Sequence, residues 1–281
     1  MAESQEVVYE TATDYVSHHL GFLTFGKHPD GTWGFAHSAE EASAMGFWTS
    51  IHVDTMMWSF LLGVMFLGLF YFVSRRATHG VPGGLQNFIE WIIEFVDNSV
   101  KAAFFARNPL VAPMALTIFC WIFLMNLMDL IPVDWLPLTA QIMAGDPHMY
   151  YKVVPSTDIN ITLGLSLSVF ILMIYYSFKV KGPMGYLKEF TMHPFPKWYL
   201  IPANIVLEVP GYFAKPVSLA LRLYGNFFAA ETIFLVIALL GFWQLPLHFG
   251  WAVFHILVVP LQAYLFMMLS IVYLNQAHTD H

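Results

Sequence analysis

One mostly apolar stretch, from Ile201 to Leu240, constrains the fold of this chain more than any other segment. It contains four ionisable side chains: Glu208, Lys215, Arg222 and Glu231. As a single helix it would be about 60 Å long at 1.5 Å per residue, whereas the hydrocarbon core of a bilayer is about 30 Å thick. The stretch must therefore cross a membrane at a steep tilt, break at Pro210, Gly211 or Pro216, or do both.

The polar side chains of this stretch are arranged on two helical faces. At about 100° per residue, five of them fall within about 40° of one line; they are Glu208, Lys215, Ser218, Arg222 and Asn226. Glu231 comes nine residues after Arg222 and points about 180° away. The permanently charged Arg222 lies between carboxylates along the helix, which suits two separate polar paths that must not connect directly. The alternative is an ion-pair network that only stabilises a helix bundle.

Composition places the chain in a membrane. Hydrophobic residues make up 58% of the sequence and charged residues 11%, whereas soluble domains have about 25% charged residues. The N-terminal MAESQEVVYE lacks the basic and apolar regions of a secretory signal. The single cysteine, Cys120, allows no disulfide within the chain, and no glycine-rich phosphate loop is present.

The apolar runs predict an all-α membrane protein with about five membrane-crossing helices and one amphipathic surface helix. We expect residues 1–52 to form an outer N-terminal segment, mostly loop with short interfacial pieces. The predicted spans are 54–73, 110–131, 158–178, 201–240 and 247–275. Residues 86–105 have polar side chains recurring at intervals of three and four, which indicates an amphipathic helix too polar to cross. The last two spans are over-long and are expected to be strongly tilted.

Lysine and arginine predict the topology. They follow the first span at Arg75, Arg76, Lys101 and Arg107, and the third span at Lys179, Lys181, Lys188 and Lys197. The loop between the second and third spans has only Lys152. The positive-inside rule then puts the N-terminus outside and the C-terminus in the cytoplasm.

Two motifs carry a resemblance to a known family. The sequence PVSLALRLYGNFFAAETI runs from Pro216 to Ile233, and FHILVVPLQAYLFMMLSIVYL runs from Phe254 to Leu274. Together with NLMDLIPVDWLP near Asp129 and DINITL near Asn160, they resemble subunit a of the F-type ATP synthase, of the bacterial type. The resemblance covers nearly the whole chain and is weakest before residue 50.

The resemblance implies a function and a set of partners. The chain would be the proton-translocating stator subunit in the bacterial inner membrane, with ATP chemistry left to other subunits. Its partners would be a c-subunit ring, the b-subunit peripheral stalk, other synthase subunits, lipid and protons, with no cofactor, metal or nucleic acid.

The resemblance also assigns roles to residues. Arg222 would face the ring carboxylates; because arginine does not deprotonate, it would attract them and block a direct proton leak between two half-channels. The entrance half-channel would use Asn226, Glu231, His255, Gln262, Asp129 and Asn160, and the exit half-channel Glu208 and Ser218. His255 and Gln262 are seven residues apart and so share a helix face.

Structural roles remain possible for several of these residues. Asp129 and Asn160 could cap helices at the membrane edge, and His255 could form an interhelical hydrogen bond. A sodium-coupled version of the same subunit and a secondary solute transporter are the alternative functions. A haem protein is excluded, because His248 and His255 lie about 10 Å apart on one helix and cannot ligate one iron from opposite sides.

Overall fold

A computed structural model of the chain describes residues 16, 19–36, 38–46, 48–78, 80–106, 108–132, 135–145, 149–192, 195 and 197–278. Its helices, in chain order, are α1 (Ala39–Ala44), α2 (Val53–Arg76), α3 (Gly84–Ala103), α4 (Val111–Leu127), α5 (Trp135–Ala144), α6 (Ile159–Met192), α7 (Ile201–Ala238) and α8 (Gln244–His278). Short 3₁₀ turns cover Met128–Leu130, Pro155–Thr157, Trp198–Leu200 and Gly241–Trp243. Within the described residues, five helices are long and apolar enough to cross a membrane. The predicted class, an all-α membrane protein, is confirmed.

The N-terminal segment contains a small antiparallel sheet, which the prediction of loop missed. Strands β1 (Thr24–Lys27), β2 (Trp33–Phe35) and β3 (Ser50–His52) pair in the order β2-β1-β3. In this register Phe25 of β1 is opposite Phe35 on one side and Ile51 on the other. Cross-strand aromatic and β-branched pairs of this kind stabilise a sheet. Strands of three or four residues are too short to show a reliable alternation in sequence.

Helix α7 is continuous over 38 residues, with Pro210 and Pro216 inside it. At 1.5 Å per residue it is about 57 Å long, and it has no break at Pro210, Gly211 or Pro216. The backbone break lies instead in α6, where Gly182 has a φ of 71° and Pro183 follows. Glycine takes a positive φ at little cost and proline has no N–H to continue a helix, so this pair ends the apolar part of α6.

Contacts divide the chain into two compact units. The first comprises Met1–Met65, Phe123–Asp158 and Asn226–Pro260. The second comprises Phe66–Ile122, Ile159–Gly225 and Leu261–His281. In the second unit, the amphipathic helix α3 buries Ile89, Val96 and Val100 on one face. The last two belong to a core that also includes Met267, Ile271 and Leu274 of α8. Helix α3 therefore packs against a neighbouring helix through its apolar stripe.

Candidate functional site

The first unit buries two contacts between oppositely ionisable side chains. Asp129, in the turn after α4, has its Oδ2 2.5 Å from Nε2 of His255 on α8. Lys152 has its Nζ 3.0 Å from Oε2 of Glu231 on α7. All four residues are at most 6% exposed. Because a buried charge is costly unless it is paired, these contacts stabilise one another's charged forms.

Local sequence places Asp129 at this site. Helix α4 ends at Leu127, and the 3₁₀ turn Met128–Leu130 follows, with an extended residue, Ile131, before Pro132. In this tighter turn the Asp129 carboxylate lies against His255.

Lys152 is held in place through both its backbone N–H and its side-chain ammonium. Its backbone N–H donates to Oδ2 of Asp54 at 2.8 Å. Its ammonium lies 4.6 Å from the centroid of the Phe22 ring and 5.8 Å from that of Phe228, in addition to the Glu231 contact. Aromatic faces and a carboxylate together replace the water that a buried ammonium loses. The position of this cation is therefore determined by the fold.

Asp54 organises the backbone around Lys152. Its carboxylate also accepts hydrogen bonds from the backbone N–H groups of Leu23 at 2.9 Å and Thr55 at 2.8 Å. The residue is 1% exposed and lies in the first turn of α2. It thereby joins the start of β1, the start of α2 and the segment that contains Lys152.

A second buried carboxylate lies nearby in the same unit. Oδ2 of Asp158 is 2.8 Å from Nδ1 of His52 and accepts a hydrogen bond from the Thr55 hydroxyl at 2.7 Å. Asp158 is 1% exposed, while the His52 side chain is 20% exposed. This group connects β3 and the start of α2 to the residue that precedes α6.

Asp129 lines two cavities. The smaller one, about 30 Å³, is also lined by His19, Tyr151, Lys152 and Glu231, among others. The larger one, about 360 Å³, is lined by Asp129, Gln244, His248 and apolar residues of α7 and α8. A water molecule needs about 10–15 Å³ of such space. The smaller cavity therefore has room for two or three waters beside the ion pairs, and the larger one for many more.

Asn126 adds an unusual polar group to this unit. It is fully buried, one turn before Asp129, and neither of its amide atoms has a hydrogen-bond partner within the described part of the chain. An unsatisfied buried polar group costs about 1–3 kcal/mol. Its amide is therefore available to bind water in the interior of this unit.

The four ionisable side chains can hold a variable number of protons. With an imidazolium at His255, the two carboxylates and two cations balance, and with a neutral imidazole the group carries one negative charge. Carboxylate and imidazole side chains both exchange protons with water. The arrangement can take up a proton from a cavity and release it again.

The structure brings together three of the predicted site residues, Asp129, Glu231 and His255, in the first unit. The partner of His255 is Asp129 and that of Glu231 is Lys152. Sequence reasoning considered Lys152 only as a topology marker. Its isolation as the single cation of a long loop was the available signal.

The remaining predicted residues occupy other positions. Ser218 and Asn226 are exposed on α7, whereas Glu231 on the same helix is buried. Arg222 and Glu208 are half-buried on the same helix. Gln262 is buried on α8 like His255, in keeping with their shared face. Asn160 is exposed in the first turn of α6.

The fold and this site define a polytopic membrane protein with buried ionisable groups beside two cavities. Comparison with known proteins identifies its family. The family model described as ATP synthase A chain matches residues 56–275. The chain belongs to the ATP synthase subunit a family, whose members are the proton-channel subunits of the synthase membrane sector.

Relatives named as ATP synthase subunit a are similar in sequence over nearly the whole chain. ATP synthase subunit a of Thiobacillus denitrificans is 59% identical, covering 97% of this chain and 98% of the relative. ATP synthase subunit a 2 of Hahella chejuensis is 58% identical, covering 96% and 98%. ATP synthase subunit a of Pseudomonas paraeruginosa is 55% identical, covering 97% and 99%. The predicted family is therefore confirmed.

Proposed function

We propose that the buried group of Asp129, Lys152, Glu231 and His255 forms the entrance half-channel of the synthase. Protons would enter the larger cavity, exchange with the Asp129–His255 pair and pass through the smaller cavity to Glu231. The observation that carries this proposal is that Asp129 borders both cavities while its Oδ2 lies 2.5 Å from His255. Asn226 and Gln262 would extend the path toward the rotor, and Asn160 would line its outer mouth.

Arg222 would separate the entrance path from the exit path. It lies nine residues before Glu231 on the continuous helix α7, and the two side chains point about 180° apart around the helix axis. A guanidinium keeps its proton at all relevant pH values, so it attracts a deprotonated ring carboxylate without passing a proton itself. Glu208 and Ser218, which precede Arg222 on α7, would lead protons out.

The face of α7 that contains Ser218 is suited to a rotating partner. Ser218, Asn226 and Ala229 are exposed there among apolar side chains, including Leu221 and Val236. Small residues allow neighbouring membrane helices to approach closely. The partner would be a ring of c subunits, and a b-subunit stalk would hold this chain against it.

Catalysis of ATP synthesis would belong to other subunits. The N-terminus of this chain would lie outside the cell membrane and the C-terminus in the cytoplasm. The transported ion would be the proton, because carboxylate and imidazole groups at the cavities exchange protons directly.

Passive proton conduction through membranes stripped of the catalytic sector tests the entrance path. We expect Glu231→Gln to lower this conduction at least about tenfold, because the amide cannot bind and release a proton. Glu231→Asp should retain part of it. The matched control is Glu94→Gln, which removes an exposed carboxylate of α3 and should conduct like wild type. Normal conduction by assembled Glu231→Gln would contradict the proposal.

A further inference from the structure

Lys152 occupies the place that a metal cation would take in the entrance path. Its ammonium is 3.0 Å from the Glu231 carboxylate, and the residue lines the same small cavity as Asp129. It is 2% exposed, and its backbone N–H is bound to Asp54. Sodium ions bind through oxygen ligands such as carboxylates. The oxygen that Glu231 would offer to such an ion already faces the Lys152 ammonium.

Cavity volume also opposes a metal cation. The cavity beside Lys152 has a volume of about 30 Å³, which admits two or three waters. A sodium ion with its hydration shell does not fit, and shedding the shell requires oxygen ligands that are not already paired. A proton needs neither, because it moves between water, carboxylate and imidazole by exchange.

We propose that Lys152 is a specificity-determining residue of the ion path, whose buried ammonium excludes sodium and other metal cations while protons exchange through the neighbouring carboxylates. The titratable groups that face it around the cavity are Asp129, Glu231, Tyr151 and His19, and His255 acts through Asp129. The rings of Phe22 and Phe228 cover its other sides. This inference rests on the proposed proton path.

Removing the charge gives a specific expectation. In Lys152→Met the positive charge beside Glu231 is lost, so the carboxylate is open to a sodium ion, and the substituted side chain has no polar atom. Charges a few ångström apart at partial burial interact strongly, so we expect a sodium ion to bind and slow proton transfer at least about tenfold. Lys152→Arg keeps the charge and is the matched control.

The test uses the purified holoenzyme in vesicles with its catalytic sector outside, loaded with either sodium chloride or choline chloride at equal ionic strength. Choline is too large for the cavity. The vesicle lumen corresponds to the outer face of the membrane, where the entrance path opens. ATP-driven acidification of the lumen is recorded. Wild type and Lys152→Arg should acidify equally in both salts, while Lys152→Met should be inhibited by luminal sodium. Sodium added only outside should have no effect.

Each other result has a distinct meaning. Equal rates for Lys152→Met in both salts, whether normal or reduced, overturn the specificity role and leave the proposed proton path intact. A wild-type enzyme that acidifies only with sodium overturns the proposed function itself. If Lys152→Met does not assemble, Lys152→Gln takes its place. Inhibition of Lys152→Arg by luminal sodium would also contradict the inference, since the charge is retained there.

Discussion

The Asp129–His255 pair makes a quantitative prediction. Removing one partner of a buried ion pair costs about 3–5 kcal/mol, because the other charge is left uncompensated. Asp129 is 6% exposed and His255 1%, so water cannot replace the missing partner. At about 1.4 kcal/mol per factor of ten, this cost lowers the population of the remaining partner's charged form by about 10²–10⁴-fold. An Asp129 left without His255 would hold its proton and stop exchanging it.

The assay is ATP-driven acidification of inverted vesicles with His255→Gln, Asp129→Asn and the double variant, with subunit content and ATP hydrolysis as assembly controls. Each single variant should reduce acidification about 100-fold or more. The double variant should be no worse than either single one, because residues that act as a unit are not additive. His28→Gln is the matched control. It lies between β1 and β2, is not among the residues that line either cavity, and should stay within about twofold of wild type.

Two outcomes would refute this reasoning. If the double variant shows the product of the two single losses, Asp129 and His255 act separately. If both single variants acidify normally while assembled, the pair is structural and protons take another route.

Other substitutions test the supporting structure. Asn204 is buried at the start of α7, and its side chain forms hydrogen bonds with three backbone groups at the end of α6 and just after it. Asn204→Ala should therefore destabilise the subunit by about 2–3 kcal/mol. Heat-induced loss of the subunit from the complex measures this effect. Asp54→Ala removes the acceptor for three backbone N–H groups and should lower stability more than Asn204→Ala does, whereas Asp54→Asn should lower it less, in the same assay. Cys120 is buried, so maleimide should not label it before denaturation. Trp48→Cys replaces a 92% exposed side chain and should be labelled from outside intact cells if the N-terminus is external.

The membrane helices could be predicted because long apolar runs have few other stable conformations. The predicted span 54–73 lies within α2, and 247–275 within α8. The opposite orientations of Arg222 and Glu231 followed from helical periodicity, and they hold because α7 is unbroken between them. The order of the helices and their apolar character therefore follow from local sequence.

The contacts of the site could not be predicted in the same way. Lys152 and Glu231 are 79 positions apart in the sequence, and Lys152 and Asp54 are 98 apart. No periodicity connects such residues, because their proximity depends on how the helices and loops pack. Helix α5 and the small sheet were missed for a related reason, since short elements between spans depend on tertiary contacts as much as on their own sequence.

The account's central claim is that Arg222 couples proton flow to rotation. Its most direct test is ATP-driven acidification of inverted vesicles in sodium-free buffer, with wild type and Arg222→Lys, while ATP hydrolysis is recorded in parallel. We predict that wild type acidifies the lumen and that Arg222→Lys, although assembled, does not, because an ammonium lacks the planar fork of the guanidinium and can lose its proton when buried. Normal acidification by Arg222→Lys would show that Arg222 is structural and would contradict the account.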